Sequence, residues 1–140
     1  MTVAAKPPAS PSSAGPPVAD DVRTAMIKVF VTGLRLQAEI GVYRHEIGKL
    51  QPLSVDVELD VPSAGSARLA ETINYETILT AARAIAGEGH IDLVETFADR
   101  LARACMADPR VTRARVRVEK PLALAPDAVA AGAEIILERG

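Results

Sequence analysis

The stretch LSVDVELDV, residues 53–61, alternates without a slip: Leu53, Val55, Val57, Leu59 and Val61 fall on one parity, and Ser54, Asp56, Glu58 and Asp60 on the other. A repeat of two belongs to a β-strand, whose successive side chains leave on opposite faces, so this run has one dry face and one wet face. Such a strand suits an antiparallel sheet covered on one side only. Its dry face needs a covering layer, which the rest of the chain has to supply.

Upstream, MIKVFVTGLRLQAEIG carries Ile27, Val29 and Val31 in alternation, and Leu34, Leu36 and Ile40 resume beyond Gly33. This predicts a strand bent or bulged at the glycine. The connection GVYRHEIGKLQP is polar and too long for a two-residue hairpin, which makes it a place to look for function. Downstream, past the turn-rich PSAGS and the short run ARLAET, INYETILTAARAIAGEG places Ile78, Leu79, Ala82, Ile85 and Ala86 at helical spacing and ends at Gly87 and Gly89. DLVETFADRLARACMADP predicts a second helix with Leu93, Val94, Phe97, Ala98, Leu101, Ala104 and Cys105 as its apolar stripe. Asp92 would cap it, Glu95 would complete a capping box, and Pro109 would close it. VTRARVRVEKP returns to strand period with Ala114, Val116 and Val118 opposite Arg113, Arg115 and Arg117, and AAGAEIILER is the last strand. The order ββααββ without a βαβ repeat predicts an α+β domain: an open antiparallel sheet of four strands with two helices on one face. Its edges call for pairing or shielding, and edge-to-edge assembly into a closed ring is one solution.

Composition sets the bounds. The 140 residues allow one domain, and 49% hydrophobic against 24% charged residues supports a core, filled by aliphatic side chains because only 3% are aromatic. Residues 1–24, with Pro7, Pro8, Pro11, Pro16 and Pro17 among small side chains, read as a disordered tail, leaving residues 25–140 as the domain. A net charge of -2 gives no overall positive field for nucleic acid, and the alternate arginines read more simply as a solvated or inter-subunit face than as a phosphate reader. Neither a signal-peptide-like start nor a run of 18 apolar residues is present, so no membrane role is expected, and the single Cys105 suits a reducing, cytoplasmic compartment.

Four side chains stand out for chemistry. Lys120 keeps the parity of Val116 and Val118, so it falls on the dry face at the strand end beside Pro121. There it is either a lysine snorkelling to water or an amine whose pKa an apolar setting pushes down, suited to proton transfer. Glu95 in a first helical turn is either a capping group or a carboxylate that receives a planar guanidine-like edge. Glu46 and Tyr75, in or beside turns, are either solvated and packing residues or ligand contacts. His45, His90 and Cys105 do not make a tetrahedral metal set, and the glycines spell no phosphate loop, so no metal and no cofactor is expected.

Together the segments IGVYRHEIGKLQPLSVDVELD, ETINYETI, DLVETFADRLA, VRVEKP and GAEIILER, in this order and spacing, resemble the bacterial dihydroneopterin aldolases of folate biosynthesis. The resemblance covers nearly all of the chain from Met26 on and leaves out the proline-rich tail. It implies a tunnelling fold whose subunits pair into rings of four and stack as a homo-octamer, with sites between subunits. Glu95 and the Val94 backbone would hold the pterin's 2-amino and N3 edge, and the Ile73 backbone would clamp the ring. Tyr75 would enter from a neighbouring subunit, Glu46 would sit near the substrate side chain, and Lys120 would be the catalytic lysine. The implied reaction is a metal-independent retro-aldol cleavage with C2' epimerisation as a side reaction. Two rivals are an epimerase acting on dihydroneopterin triphosphate, for which Arg44 and Lys49 would supply positive charge, and a catalytically silent oligomer that keeps the pterin pocket.

Overall fold

A computed structural model describes residues 15–62 and 73–140. Most of PSAGS, the run ARLAET and the first part of the expected tail lie outside the described residues. Residues 15–25 form no helix or strand and are exposed.

The elements are β1 (Met26–Glu39), β2 (Leu50–Pro62), α1 (Glu76–Ala86), α2 (Val94–Met106), β3 (Arg113–Lys120) and β4 (Ala131–Glu138), with a 3-10 turn at Arg44–Glu46. The sheet has four strands in the order β1-β2-β3-β4, every neighbouring pair antiparallel. The second strand therefore has a partner on each side. Its dry parity, Leu53, Val55, Val57 and Leu59, is wholly buried, and both helices cover that face through Ile78, Ala82 and Ile85 of α1 and Phe97, Ala98 and Leu101 of α2. The strand starts three residues earlier than its alternation suggests, at Leu50, because Gln51 and Pro52 pair with β1 only; the β3 ladder begins at Ser54. Pro52, which has no N–H, stands outside the doubly paired part.

The expected bulge is present. Val31 faces Val57 and Leu34 faces Val55, so Thr32 and Gly33 together oppose Asp56. Gly33 has a φ of 67°, and its N–H donates to the Asp56 carboxylate at 2.6 Å. The wet parity of β2 is equally well served. Asp60 accepts from Lys28 at 2.8 Å across β1 and faces Arg113 across β3, while Arg115 and Arg117 approach Glu134 of β4. The alternate arginines are thus balanced by carboxylates on their own face, which leaves little free positive field for a nucleic-acid backbone.

Two expectations for α2 need correction. Leu93 is its N-cap, in extended conformation and without a side-chain cap, so the Asp92–Glu95 capping box does not form; Asp92 instead approaches His90. The buried stripe takes in Ala102, while Leu93 and Ala104 are exposed, since positions 94, 97, 98, 101, 102 and 105 follow the 3.6-residue period more closely. A parallel bridge between Ile40 and Ile91 anchors the start of this helix beside the end of β1. No helix among the described residues is long and apolar enough to cross a membrane.

Arg139, just past β4, closes the far end. Its Nε donates to Val111 O at 2.8 Å, and its Nη2 donates to Met106 O and, at 3.0 Å, to Asp108 O, so one cation satisfies carbonyls where α2 ends. Arg139→Ala is expected to lower stability by about 1–2 kcal/mol, read as a fall in the urea midpoint at unchanged slope. An unchanged midpoint would show that water replaces the guanidinium at these carbonyls.

Candidate active site

The connection between β1 and β2 folds tightly on itself. Glu46 N–H donates to Tyr43 O at 2.9 Å and Lys49 N–H to Glu46 O at 3.3 Å, closing a compact turn. Gly41, with a φ of 132°, and Gly48, with a φ of 78°, adopt conformations that other residues rarely reach. Gly41 also has no room for a side chain: a Cβ there would lie 2.1 Å from the Glu46 carboxyl carbon. The turn therefore aims Glu46 inward rather than into solvent, and only 7% of the residue stays accessible.

Lys120 meets it there. Its strand parity carries it to the covered face, as the alternation predicts, and its Nζ donates to Glu46 Oε2 at 2.5 Å. The expected apolar setting for this amine is corrected: a carboxylate, not hydrocarbon, stands at the ammonium. Gln51 donates its amide both to the same Oε2, at 2.9 Å, and to Ile40 O, at 2.6 Å, and the Tyr43 N–H reaches Oε1 at 3.2 Å. The hydrogen bond from Lys120, followed by that from Gln51, holds the Glu46 carboxyl well below the ordinary 4.5, at about 2, against the opposing effect of burial. The site so assembled is an ionised carboxylate and an ammonium in contact, opening on a cleft of about 500 Å³ that Tyr43, His45, Lys49 and Leu122 help to line. Such a pair can accept a proton from a hydroxyl or water in the cleft and return one nearby.

The other expected site residues lie elsewhere in the chain. Tyr75 caps α1 and is 62% exposed, its neighbour Asn74 supplying the hydrogen bond to the Glu76 N–H. Glu95, in the first turn of α2, is exposed, and its side chain makes no hydrogen bond or ion pair among the described residues. Val94 is half-buried beside it, and Ile73 is buried at the entrance to α1, lining a separate cavity of about 210 Å³. None of these four lines the cleft at Lys120. Sequence reasoning missed Gln51 and Gly41, for neither carries a periodic signal. The described residues hold no group of three or more His, Cys, Asp or Glu side chains placed to bind a metal ion.

Residues 29–138 match the family described as dihydroneopterin aldolase (FolB). The chain belongs to the dihydroneopterin aldolase family. It is 33% identical over 81% of its length to a dihydroneopterin aldolase of Methylorubrum extorquens, covering 89% of that protein, and 31% identical over 69% to one of Streptomyces coelicolor, covering 83% of it. A dihydroneopterin triphosphate 2'-epimerase of Pseudomonas aeruginosa is 29% identical over 71% of the chain and 83% of the epimerase. The structure of E. coli dihydroneopterin aldolase in complex with neopterin matches with a TM-score of 0.72 at 27% identity, over 81% of this chain and 99% of that one. The four-stranded antiparallel sheet with two helices is accordingly the tunnelling fold of these aldolases.

Two outcomes test the geometry of the pair. Because Glu46 is depressed on folding, its contribution to stability is present in full above its ordinary pKa of 4.5 and is lost as pH falls from there through about 2. Lys120→Met removes the largest cause of that depression, so urea midpoints measured between pH 6 and 2 should depend less on pH over this window than in the unchanged protein; equal dependence would mean that the ammonium does not hold Glu46 ionised. Gly41→Ala drives a methyl into the carboxyl and should cut turnover by about a hundredfold or more by misplacing Glu46, checked by steady-state kinetics on protein shown to be folded by circular dichroism.

Proposed function

We propose that the chain is a 7,8-dihydroneopterin aldolase that cleaves its substrate to 6-hydroxymethyl-7,8-dihydropterin and glycolaldehyde. The contact between Glu46 and Lys120 at the mouth of a cleft carries this reading, in a chain whose relatives include dihydroneopterin aldolases. Breaking the C1'–C2' bond requires loss of the 2'-hydroxyl proton and an acceptor for the electron pair. The C6=N5 imine of the dihydropterin accepts that pair and becomes an enamine, so neither a Schiff base on Lys120 nor a metal ion is needed. Glu46 and Lys120 would move protons at the side chain and near N5 through water, and Tyr75 would help to protonate the enamine at the carbon that the cleavage leaves. Glu95, a carboxylate at a helix start with no side-chain partner among the described residues, suits two parallel hydrogen bonds from the 2-amino and N3 edge, with the Val94 and Ile73 backbones bracing the ring.

Those roles call for more than one subunit. Among the described residues strands β1 and β4 each have one edge that no strand pairs, and Leu50, Leu122 and Leu124 stand exposed around the cleft. Edge pairing into rings of four, stacked as an octamer, would cover these groups and bring a neighbour's Tyr75 to the cleft. Residues 1–24 take no part, and a cytoplasmic location suits the free Cys105 thiol. A second reading is favoured by the epimerase relative: re-adding the released aldehyde through its opposite face inverts C2', and Lys49 at the cleft would favour a phosphorylated side chain.

Incubation with 7,8-dihydroneopterin, with chelator present and oxygen excluded, should yield glycolaldehyde and 6-hydroxymethyl-7,8-dihydropterin in equal amounts. The same yield is expected from residues 25–140 alone, in protein that sediments at eight times the chain mass. Absence of both products from assembled protein would sink the aldolase reading, and conversion of the triphosphate to its C2' epimer would replace it.

A further inference from the structure

Gly41 is held at both of its backbone groups by the segment that leads into α2. Its N–H donates to Ile91 O at 3.0 Å, Ile91 N–H donates to Glu39 O at 2.9 Å, and the Gly41 carbonyl accepts from His90 Nε2 at 2.7 Å. The Glu46 carboxyl packs directly against the α-carbon of the same glycine. A carbonyl oxygen can only accept, so Nε2 carries the proton. Asp92 Oδ1 lies 3.5 Å from that nitrogen, and Nδ1 is buried with no partner among the described residues. The imidazole thus has one short hydrogen bond, and it is spent on the peptide that Glu46 leans on.

We propose that His90 is a positioning residue for the reaction. With a φ of 132°, the Gly41 peptide has orientations open to it that other residues lack, and the His90 bond selects one of them. Through Ile91 the same short segment runs straight into the first turn of α2, where Val94 and Glu95 sit. His90 therefore fixes the spacing between the proton-handling pair, Glu46 and Lys120, and the carboxylate that receives the flat edge of the substrate. The inference rests on the aldolase reading for the identity of the reaction, but the hydrogen bond itself does not. Histidine at this place was isolated in the sequence, 49 residues from the glycine it holds.

The test compares the assembled protein with His90→Ala and His90→Gln, whose amide nitrogen can occupy the place of Nε2. His90→Ala should lose about tenfold in kcat while KM stays within about twofold, since Glu95 is untouched; His90→Gln should recover most of the loss. Wild-type kcat in His90→Ala, or equal losses in both variants, would overturn the proposal. If His90→Ala does not assemble, His90→Gln and the imidazole 15N shifts of the unchanged protein decide. Those shifts should show a proton on Nε2, and an Nε2 without one would overturn the tether. An unchanged protein that turns over no substrate would count against the aldolase reading, and the 15N shifts would still decide the His90 bond.

Discussion

The strict alternation of β2 constrains everything around it. A strand paired on both sides cannot slip by one residue without turning its whole dry face to water, so Leu53 to Leu59 fix the register of both neighbours at once. On one side the extra residue of β1 is absorbed at Gly33, which Asp56 of the wet parity holds by its N–H. On the other side the pairing of Val55 with Val118 and Val57 with Val116 decides the face on which Lys120 emerges. A candidate active-site side chain is thereby placed by valines two and four residues away.

A charge that arrives on the covered side of a sheet has to be met. Taking an ammonium and a carboxylate out of water costs several kcal/mol per ion, and Glu46 is tolerable there because Lys120, Gln51 and the Tyr43 N–H together occupy its oxygens. Hydrophobic replacements of similar volume commonly match such a pair in stability. Its place at an open cleft, rather than in the core between the helices, fits a pair kept for proton transfer.

The sequence displayed most of this wherever a period was at work. The strand alternation, the helical stripe of α1, the glycine bulge and the dry parity of Lys120 all follow from spacing, and all appear in the structure. Spacing was silent on Glu46. Its burial depends on a positive φ at Gly41, on a 3-10 turn and on Gln51, which first becomes a neighbour when the chain doubles back. The helix cap failed for a related reason: Asp92 has the right chemistry, but the Ile40–Ile91 bridge holds the preceding segment, and Asp92 turns toward His90 instead. Side-chain preferences described the elements well, and tertiary ties decided their ends.

The isolated chain leaves two problems that share one solution. Among the described residues no strand pairs with the outer edges of β1 and β4, and its candidate site is divided: Glu46 and Lys120 meet at the cleft, while Tyr75 and Glu95 stand exposed at the starts of the two helices. Proposed edge-to-edge assembly satisfies the open ladders and, by the same contacts, carries one subunit's exposed tyrosine to another's cleft. Under that proposal the site is complete only in the assembled protein, and a lone subunit, however well folded, would hold the charge pair without the groups proposed to orient a pterin over it.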